Sequence, residues 1–367
     1  MNYKSISKLF MLGFILAFMF SSCTKEGPMG PAGADGSDGT DGTDGVDGQV
    51  TCLVCHSGAN MEAKQGQFWM SAHAVGAIAV DYAGGRASCA ECHSHEGFVQ
   101  YTTLGEVLGD ITNPSAWECN TCHGLHKTFE GQDYALRLDD PVTPKFDKTI
   151  TMDLGGNSNL CANCHQSRRA APEYGVEEPA DSFRITSTHY GPHHGAQGNV
   201  VAGMGFAEIP GSVAYPEVGS SKHLNQASCV GCHMAEFNEN DFDDEDGKVD
   251  QFAQGGHSFI PSMKACNDCH SANETNFNYG GVQTEVHEML LELRDQLIAL
   301  GVVEGNEDDG FHPHVGTFPT VQVQAFFNWT GLEEDRSLGA HNPKYVKALL
   351  RNSIEAMEAE LSATADN

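Results

Sequence analysis

Apolar residues keep a helical period over only one long region of the chain. Val286, Met289, Leu290, Leu293, Leu297 and Leu300 recur at three- and four-residue intervals. They line one face of a helix that starts near Val282 and ends at Gly301. Residues 304–309 are acidic and precede Pro313 and Pro319, so this stretch reads as a loop, and 322–329 as a further helix. Asn342 followed by Pro343 reads as an N-cap and first helical position. Behind them Tyr345, Val346, Leu349, Leu350, Ile354 and Met357 fall on one side of a helix running to about Leu361. Residues 49–280 are different: glycine-, proline- and asparagine-rich, with few periodic segments, and loop-like at 173–179 and 215–221. The pattern predicts a mainly α chain with much irregular loop and a helical C-terminal lobe over 281–367.

One more apolar run spans residues 9–20, behind Lys4 and Lys8. It is too short to cross a bilayer, which takes about 20 residues. It ends in Phe20-Ser21-Ser22-Cys23, a lipobox-like sequence with phenylalanine where leucine is more usual. Residues 1–22 therefore read as a lipoprotein signal peptide and Cys23 as the lipidated residue. Glycine then recurs at every third position from Gly27 to Gly48. This is a collagen-like Gly-X-Y tract. Proline occurs in it only at Pro28 and Pro31, and its repeated aspartates would repel across three strands. A flexible acidic stalk fits 23–48 better than a triple helix.

The cysteines carry the chemistry. Of 13, all but Cys23 fall in six copies of Cys-x-x-Cys-His. The first three are Cys52, Cys55 and His56; Cys89, Cys92 and His93; and Cys119, Cys122 and His123. The last three are Cys161, Cys164 and His165; Cys229, Cys232 and His233; and Cys266, Cys269 and His270. Zinc knuckles and redox dithiols use the same cysteine spacing but do not require the histidine. Histidine is only 18 of 367 residues, yet it follows every pair. The motif is the attachment signature of a c-type haem: two thiols add to the haem vinyl groups and the histidine becomes an axial iron ligand. Six covalent haems are expected over 49–280. The motifs lie 30 to 68 residues apart, so they are not a tandem repeat of one module.

On these motifs the chain resembles the multihaem cytochromes c, and further segments sharpen the resemblance. Trp69-Met70-Ser71-Ala72-His73-Ala74 resembles the W-x-x-S-x-H-A segment of cytochrome c554-like and related families. Ser221-Lys222-His223 resembles the S-x-H that precedes a CxxCHM site, here Cys229 to Met234. Gly256-His257-Ser258-Phe259 resembles their G-H-[ST]-F element, and residues 335–345 their D-x-S-x-G-x-H-N-P-x-Y element. The resemblance implies a fold organised around covalent haems, and His73, His223, His257 and His341 as distal iron ligands. It also implies that His126, three residues after His123, reaches a neighbouring iron. In the cluster His189-Tyr190-Gly191-Pro192-His193-His194, either His193 or His194 is expected to be a ligand. His95, His287, His312 and His314 read as surface or core residues. With this supply of histidine, bis-histidine ligation of low potential is expected throughout.

Charge narrows the partners. The net charge is −30, and loss of residues 1–22 removes two lysines and no acid. A nucleic-acid partner would need a basic surface and is excluded. The acidic run 241–247 resembles half an EF-hand, but its frame puts Phe242 at the first ligand position. It reads as a solvated loop, with Ca2+ the alternative. Function is then expected to be electron transfer with redox partner proteins, other cytochromes or extracellular metal oxides. The membrane contact would be the lipid alone, on the outer membrane facing periplasm or cell surface, with an oligomer or filament left open. The alternative is a nitrite-, hydroxylamine- or tetrathionate-type reductase with one open haem site. No CxxCK motif, the mark of many nitrite-reductase active haems, is present.

Overall fold

The computed structural model describes residues 58–126, 135–178, 180–235, 255–267, 269–270 and 276–365. Cys23, the glycine-repeat tract and the acidic run 241–247 lie outside these residues. So does the first attachment motif, with Cys52, Cys55 and His56. Short helices connected by turns make up the first two thirds: α1 (Gly58–Trp69), α2 (Ala72–Val75), α3 (Ala87–His93), α4 (His95–Leu104), α5 (Cys119–Cys122) and α6 (Ser158–Ala162). After strand β1 (Ser182–Ile185) come α7 (Gln197–Ala202), α8 (Lys222–Gln226), α9 (Ser228–His233) and α10 (Met263–Asn267). The C-terminal region holds α11 (Val282–Ala299), β2 (Val303–Asn306), β3 (Gly310–Pro313), β4 (Gly316–Pro319), α12 (Thr320–Asp335) and α13 (Pro343–Ala365).

Helices α11, α12 and α13 pack on one another and form the main core. The predicted apolar stripes are the buried ones: Leu293 and Leu297 on α11, and Tyr345, Leu349 and Leu350 on α13, are all fully buried. Each such side chain contributes roughly 1.5–3 kcal/mol by leaving water. Asn342 caps α13, its Oδ1 accepting from the Tyr345 amide at 3.4 Å. The core extends into the haem-motif region through Ile185, Tyr190, Phe206 and Ile209. A second, smaller core joins Val142, Met152 and Leu154 to α7.

The expected loop at 304–309 is the tip of a hairpin. β2 pairs antiparallel with β3, and β4 pairs antiparallel with the distant β1. Asn306 Oδ1 accepts from the amides of Asp308 and Asp309 at 2.9 and 3.0 Å, an Asx turn that uses the acidic residues as the hairpin end. The strands are four residues long, too short to set up a legible alternation. The helix expected at 322–329 runs from Thr320 to Asp335, because nearly its whole circumference is buried and its sequence lacks an amphipathic stripe.

Between Gly58 and Pro141 the described buried apolar side chains are only Val80, Ala83, Ala90 and Phe98. Trp69, Ile78 and Tyr82 are at least 70% exposed. This part is held by caps and tight contacts. Ser94 Oγ accepts from Gly97 N at 3.2 Å at the start of α4. A Cβ on Gly97 would meet the Ala90 carbonyl oxygen at 2.2 Å, so α3 and α4 lie closer than any other residue there would permit.

Asn328, fully buried on α12, ties the layers together. Its Oδ1 accepts from Ala207 N at 2.9 Å, and its Nδ2 donates to Ala207 O at 2.8 Å and Ser353 Oγ at 3.1 Å. Asn328→Ala should orphan the Ala207 amide, costing on the order of 1–3 kcal/mol for a buried group left unpaired, while the Ala207 carbonyl keeps the Ile209 amide at 3.0 Å. Thermal unfolding followed by circular dichroism should show a lower Tm for this variant, and an unchanged Tm for the exposed control Glu288→Ala.

Candidate functional site

Each described Cys-x-x-Cys-His sits on one turn of helix. The histidine amide closes that turn on the first cysteine carbonyl: His123 to Cys119 at 3.0 Å, His165 to Cys161 at 2.9 Å, His270 to Cys266 at 2.8 Å. His93 and His233 lie inside α3 and α9. Residues three apart on a helix share a face, so both thiols of a pair point the same way. None of the ten described motif cysteines is paired in a disulfide. Eight of the ten are half-buried, whereas Cys119 and Cys269 are exposed. Cys269 closes the turn that follows α10, its amide donating to the Cys266 carbonyl at 3.2 Å. Its thiol reaches Gln226 Oε1 on α8 at 3.8 Å, so the last motif presents one thiol toward α8 and one half-buried thiol, Cys266. Cys55, the second thiol expected in the first motif, has no place in this comparison because it is outside the described residues.

The five described motif histidines each face one further histidine. Ring centroids are 5.9 Å apart for His93 and His193, 6.0 Å for His165 and His73, and 6.1 Å for His270 and His223. They are 6.2 Å apart for His123 and His257 and for His233 and His341. Each pair takes one ring from a motif and one from elsewhere in the chain. Metal–imidazole bonds are about 2 Å, so two imidazoles on opposite sides of one ion have centroids roughly 6 Å apart. A zinc site needs three or four converging protein donors. Among the described residues no group of three His, Cys, Asp or Glu side chains converges that way. Two facing imidazoles beside two parallel thiols fit a porphyrin iron, whose in-plane donors come from the macrocycle.

The local chemistry suits iron binding. Burial, and next the neighbouring His165, lowers the His73 pKa to about 4. Burial, and next Arg168, lowers His193 to about 4. Burial is also the main reason that His93, His165, His233 and His257 lie below the usual imidazole range. These rings are neutral at neutral pH, the state that binds metal. His165 is exposed on its ring surface yet strongly desolvated, so it lines an internal cleft and not the outer face. Phe259 packs between two pairs, 4.9 Å from His73 and 6.1 Å from His257.

Several Nδ1 atoms have hydrogen-bond partners, which turns Nε2 toward the facing ring. His165 meets Gln197 Oε1 at 3.1 Å, His223 meets the Ala340 carbonyl at 2.5 Å, and His233 meets the Phe259 carbonyl at 2.7 Å. His341 meets Asp335 Oδ1 at 2.6 Å. Sequence reasoning did not single out Asp335, Gln197 or Phe259 as site residues. Two of them left a signal: Asp335 opens the 335–345 element and Phe259 closes the Gly256–Phe259 element.

The remaining histidines fall elsewhere. His194 is 79% exposed in its side chain and pairs with Glu334 at 2.8 Å, its ring beside that of His193 at 5.5 Å but not opposite a motif histidine. His95 Nδ1 contacts the buried Thr121 Oγ1 at 2.7 Å and links α4 to α5. His287 and His312 are exposed, and exposed His314 pairs with Glu304 at 2.9 Å. His126, in the left-handed conformation with φ 55°, is exposed at the end of its described segment.

The thiols also show which motifs adjoin. Cys92 and Cys164 are within hydrogen-bonding reach of each other, as are Cys161 and Cys229. The Cys229 contact and burial hold the Cys161 thiol up, and the Cys92 contact and burial the Cys164 thiol, with the neighbouring Cys122 adding to both.

Residues 200–365 match the family model of cytochrome c552. Comparison with curated proteins returns no match. Among solved structures, the chain is similar to the outer cell wall cytochrome OcwA, with 16% identity and a TM-score of 0.47. That alignment covers 79% of this chain and 49% of OcwA, so the chain spans about half the length of that relative.

The ring pairs make His193 and His194 separable. His193→Ala should leave haem content unchanged and convert one iron to a high-spin form in the optical and EPR spectra. His194→Ala should leave both spectra as they are in the wild type.

Proposed function

We propose that this chain, whose residues 200–365 match the cytochrome c552 family model, is a multihaem c-type cytochrome that carries electrons through six closely placed haems, each held by two histidines. The supporting observation is the set of ring pairs, which gives every described motif histidine a second imidazole at about the spacing one iron requires. In this reading His56 and His126 complete the set. The thioether links run from Cys52 and Cys55 in the first motif to Cys266 and Cys269 in the last. Haem supplies reversible one-electron chemistry at iron. The paired histidines would hold each haem iron, and the motif cysteines would fix each haem in place and set the spacing between neighbours. An iron with both axial positions filled by imidazole has no place for a substrate, which favours a carrier over a reductase.

The thiol contacts give the carrier an order. The site of His165 and His73 adjoins that of His93 through Cys164 and Cys92, and that of His233 through Cys161 and Cys229. It also lies near the site of His123, through Cys122. The His165 haem would then be the junction of the chain. Export and tethering by lipid on Cys23, through the acidic stalk of 23–48, would present this junction to redox proteins or to an extracellular metal oxide. Among the described residues no helix is long and apolar enough to cross a membrane.

Three measurements test the reading. Pyridine haemochrome analysis should give six haems per chain. EPR and resonance Raman spectra of the oxidised protein should contain low-spin iron only. A stoichiometric high-spin signal would shift the assignment to a reductase, to be followed with nitrite, hydroxylamine and tetrathionate turnover. His126→Ala should keep all six haems and make one iron five-coordinate; a wholly low-spin spectrum would remove His126 from the ligand set.

A further inference from the structure

Four of the facing histidines meet a described residue through Nδ1, and these contacts differ in charge. Gln197, the Ala340 carbonyl and the Phe259 carbonyl offer neutral oxygens. Asp335 alone of these offers a carboxylate, to His341, and its side chain is 1% exposed. Asp335 closes α12, and Arg336 beside it is in the left-handed conformation with φ 58°. The turn that follows returns Ser337 to the carboxylate, where its hydroxyl donates to Asp335 Oδ2. The His341 amide in turn donates to Ser337 Oγ at 3.3 Å. Both carboxylate oxygens therefore have a fixed role, one toward the ring and one toward the turn.

We propose that Asp335 is a positioning residue that sets the reduction potential of the haem held between His233 and His341. It lowers that potential below the value a neutral acceptor on His341 would give. The inference rests on the reading that these two histidines share one iron. The physical reason is electrostatic. A carboxylate accepting the Nδ1 proton draws that proton away and gives the ring imidazolate character, which strengthens its donation to iron. The buried negative charge also stabilises ferric iron, which carries one more positive charge than ferrous, and low solvent exposure leaves that interaction weakly screened. On the other side of the pair, His233 donates to a neutral carbonyl, so the asymmetry comes from Asp335 alone. The couple is one electron passed between the electrode and iron, with no bond made or broken.

The test is Asp335→Asn in the full haem-loaded protein, followed by EPR-monitored redox titration. Asparagine keeps an oxygen for His341 Nδ1 and removes the charge. One midpoint should rise by a tenfold or greater change in the reduction equilibrium, about 59 mV for one electron. Haem content, the low-spin state of every iron and the other midpoints should stay in place. Unchanged midpoints in a fully loaded, low-spin variant would overturn the role of Asp335 and leave bis-histidine ligation standing. His341→Ala separates the two ideas: if it produces no high-spin iron, His341 is not a ligand and the ligation reading fails at this site. Should Asp335→Asn not mature, the wild-type EPR spectrum decides. One low-spin signal should show the enlarged axial splitting of an imidazole with imidazolate character, and its absence counts against the proposal.

Discussion

The structure depends on holding pairs of imidazoles about 6 Å apart from positions far separated in sequence. His73 meets His165 and His257 meets His123, pairs separated by 92 and 134 residues of chain. Closing such loops costs conformational entropy that one ring contact does not return. The chain meets that cost with small, well-satisfied devices near each histidine. Ser71 caps the helix that carries His73, accepting from Ala74 N at 3.2 Å. The buried Gln67 on α1 accepts from the His257 amide at 3.0 Å, which binds the turn carrying one ligand to the helix just before another. A bis-histidine iron in each pair would add a strong metal–ligand link to these contacts, the kind of coupling through which a metal becomes part of folding.

This division of labour explains why the apolar core is lopsided. The three C-terminal helices bury full stripes of leucine, valine and aromatic side chains and need no cofactor to do so. The region from α1 to α5 buries four apolar side chains and leaves Trp69, Ile78 and Tyr82 open. A porphyrin is a large apolar plate, and a chain that tethers one every few dozen residues can leave the filling of its interior to them. The C-terminal lobe is therefore both scaffold and contributor. α12 and α13 are joined by the short turn that carries His341, so a rigid helix pair aims that ring toward His233. Asn328 and Asn352 extend the same scaffold to the 207–213 segment through paired backbone hydrogen bonds.

What the sequence disclosed followed the chemistry more than the fold. Cys-x-x-Cys-His is local, so the attachment turns could be read from spacing alone, and the amphipathic faces of α11 and α13 were visible for the same reason. The exposure of Cys269 was not, since spacing says nothing about which side of a motif faces outward. Nor was the hairpin of β2 and β3, because its two strands are short and its turn is acidic, which reads as loop. The pairing of β4 with β1 joins residues 182–185 to 316–319 and has no local signature. Choosing between His193 and His194 needed geometry as well. The two are adjacent in sequence, and only the backbone of His193, in the left-handed region with φ 82°, turns one ring toward His93 and leaves the other to Glu334.

The same contrast bears on how potentials could be graded along a row of chemically similar sites. If each iron is held by two histidines, as proposed, ligand type would not separate the haems, and the differences would come from what the ligands touch, from burial and from nearby charge. In this chain those surroundings are unequal. His193 lies beside the Arg168 guanidinium, which favours the lower-charge state nearby and would raise the potential there. His341 donates to a buried carboxylate, which acts in the opposite sense. The two sites lie on either side of the His165 junction, as their thiol contacts indicate. A cation near one neighbour and an anion near the other would slope the row energetically, giving electrons a preferred direction through histidines that are otherwise alike.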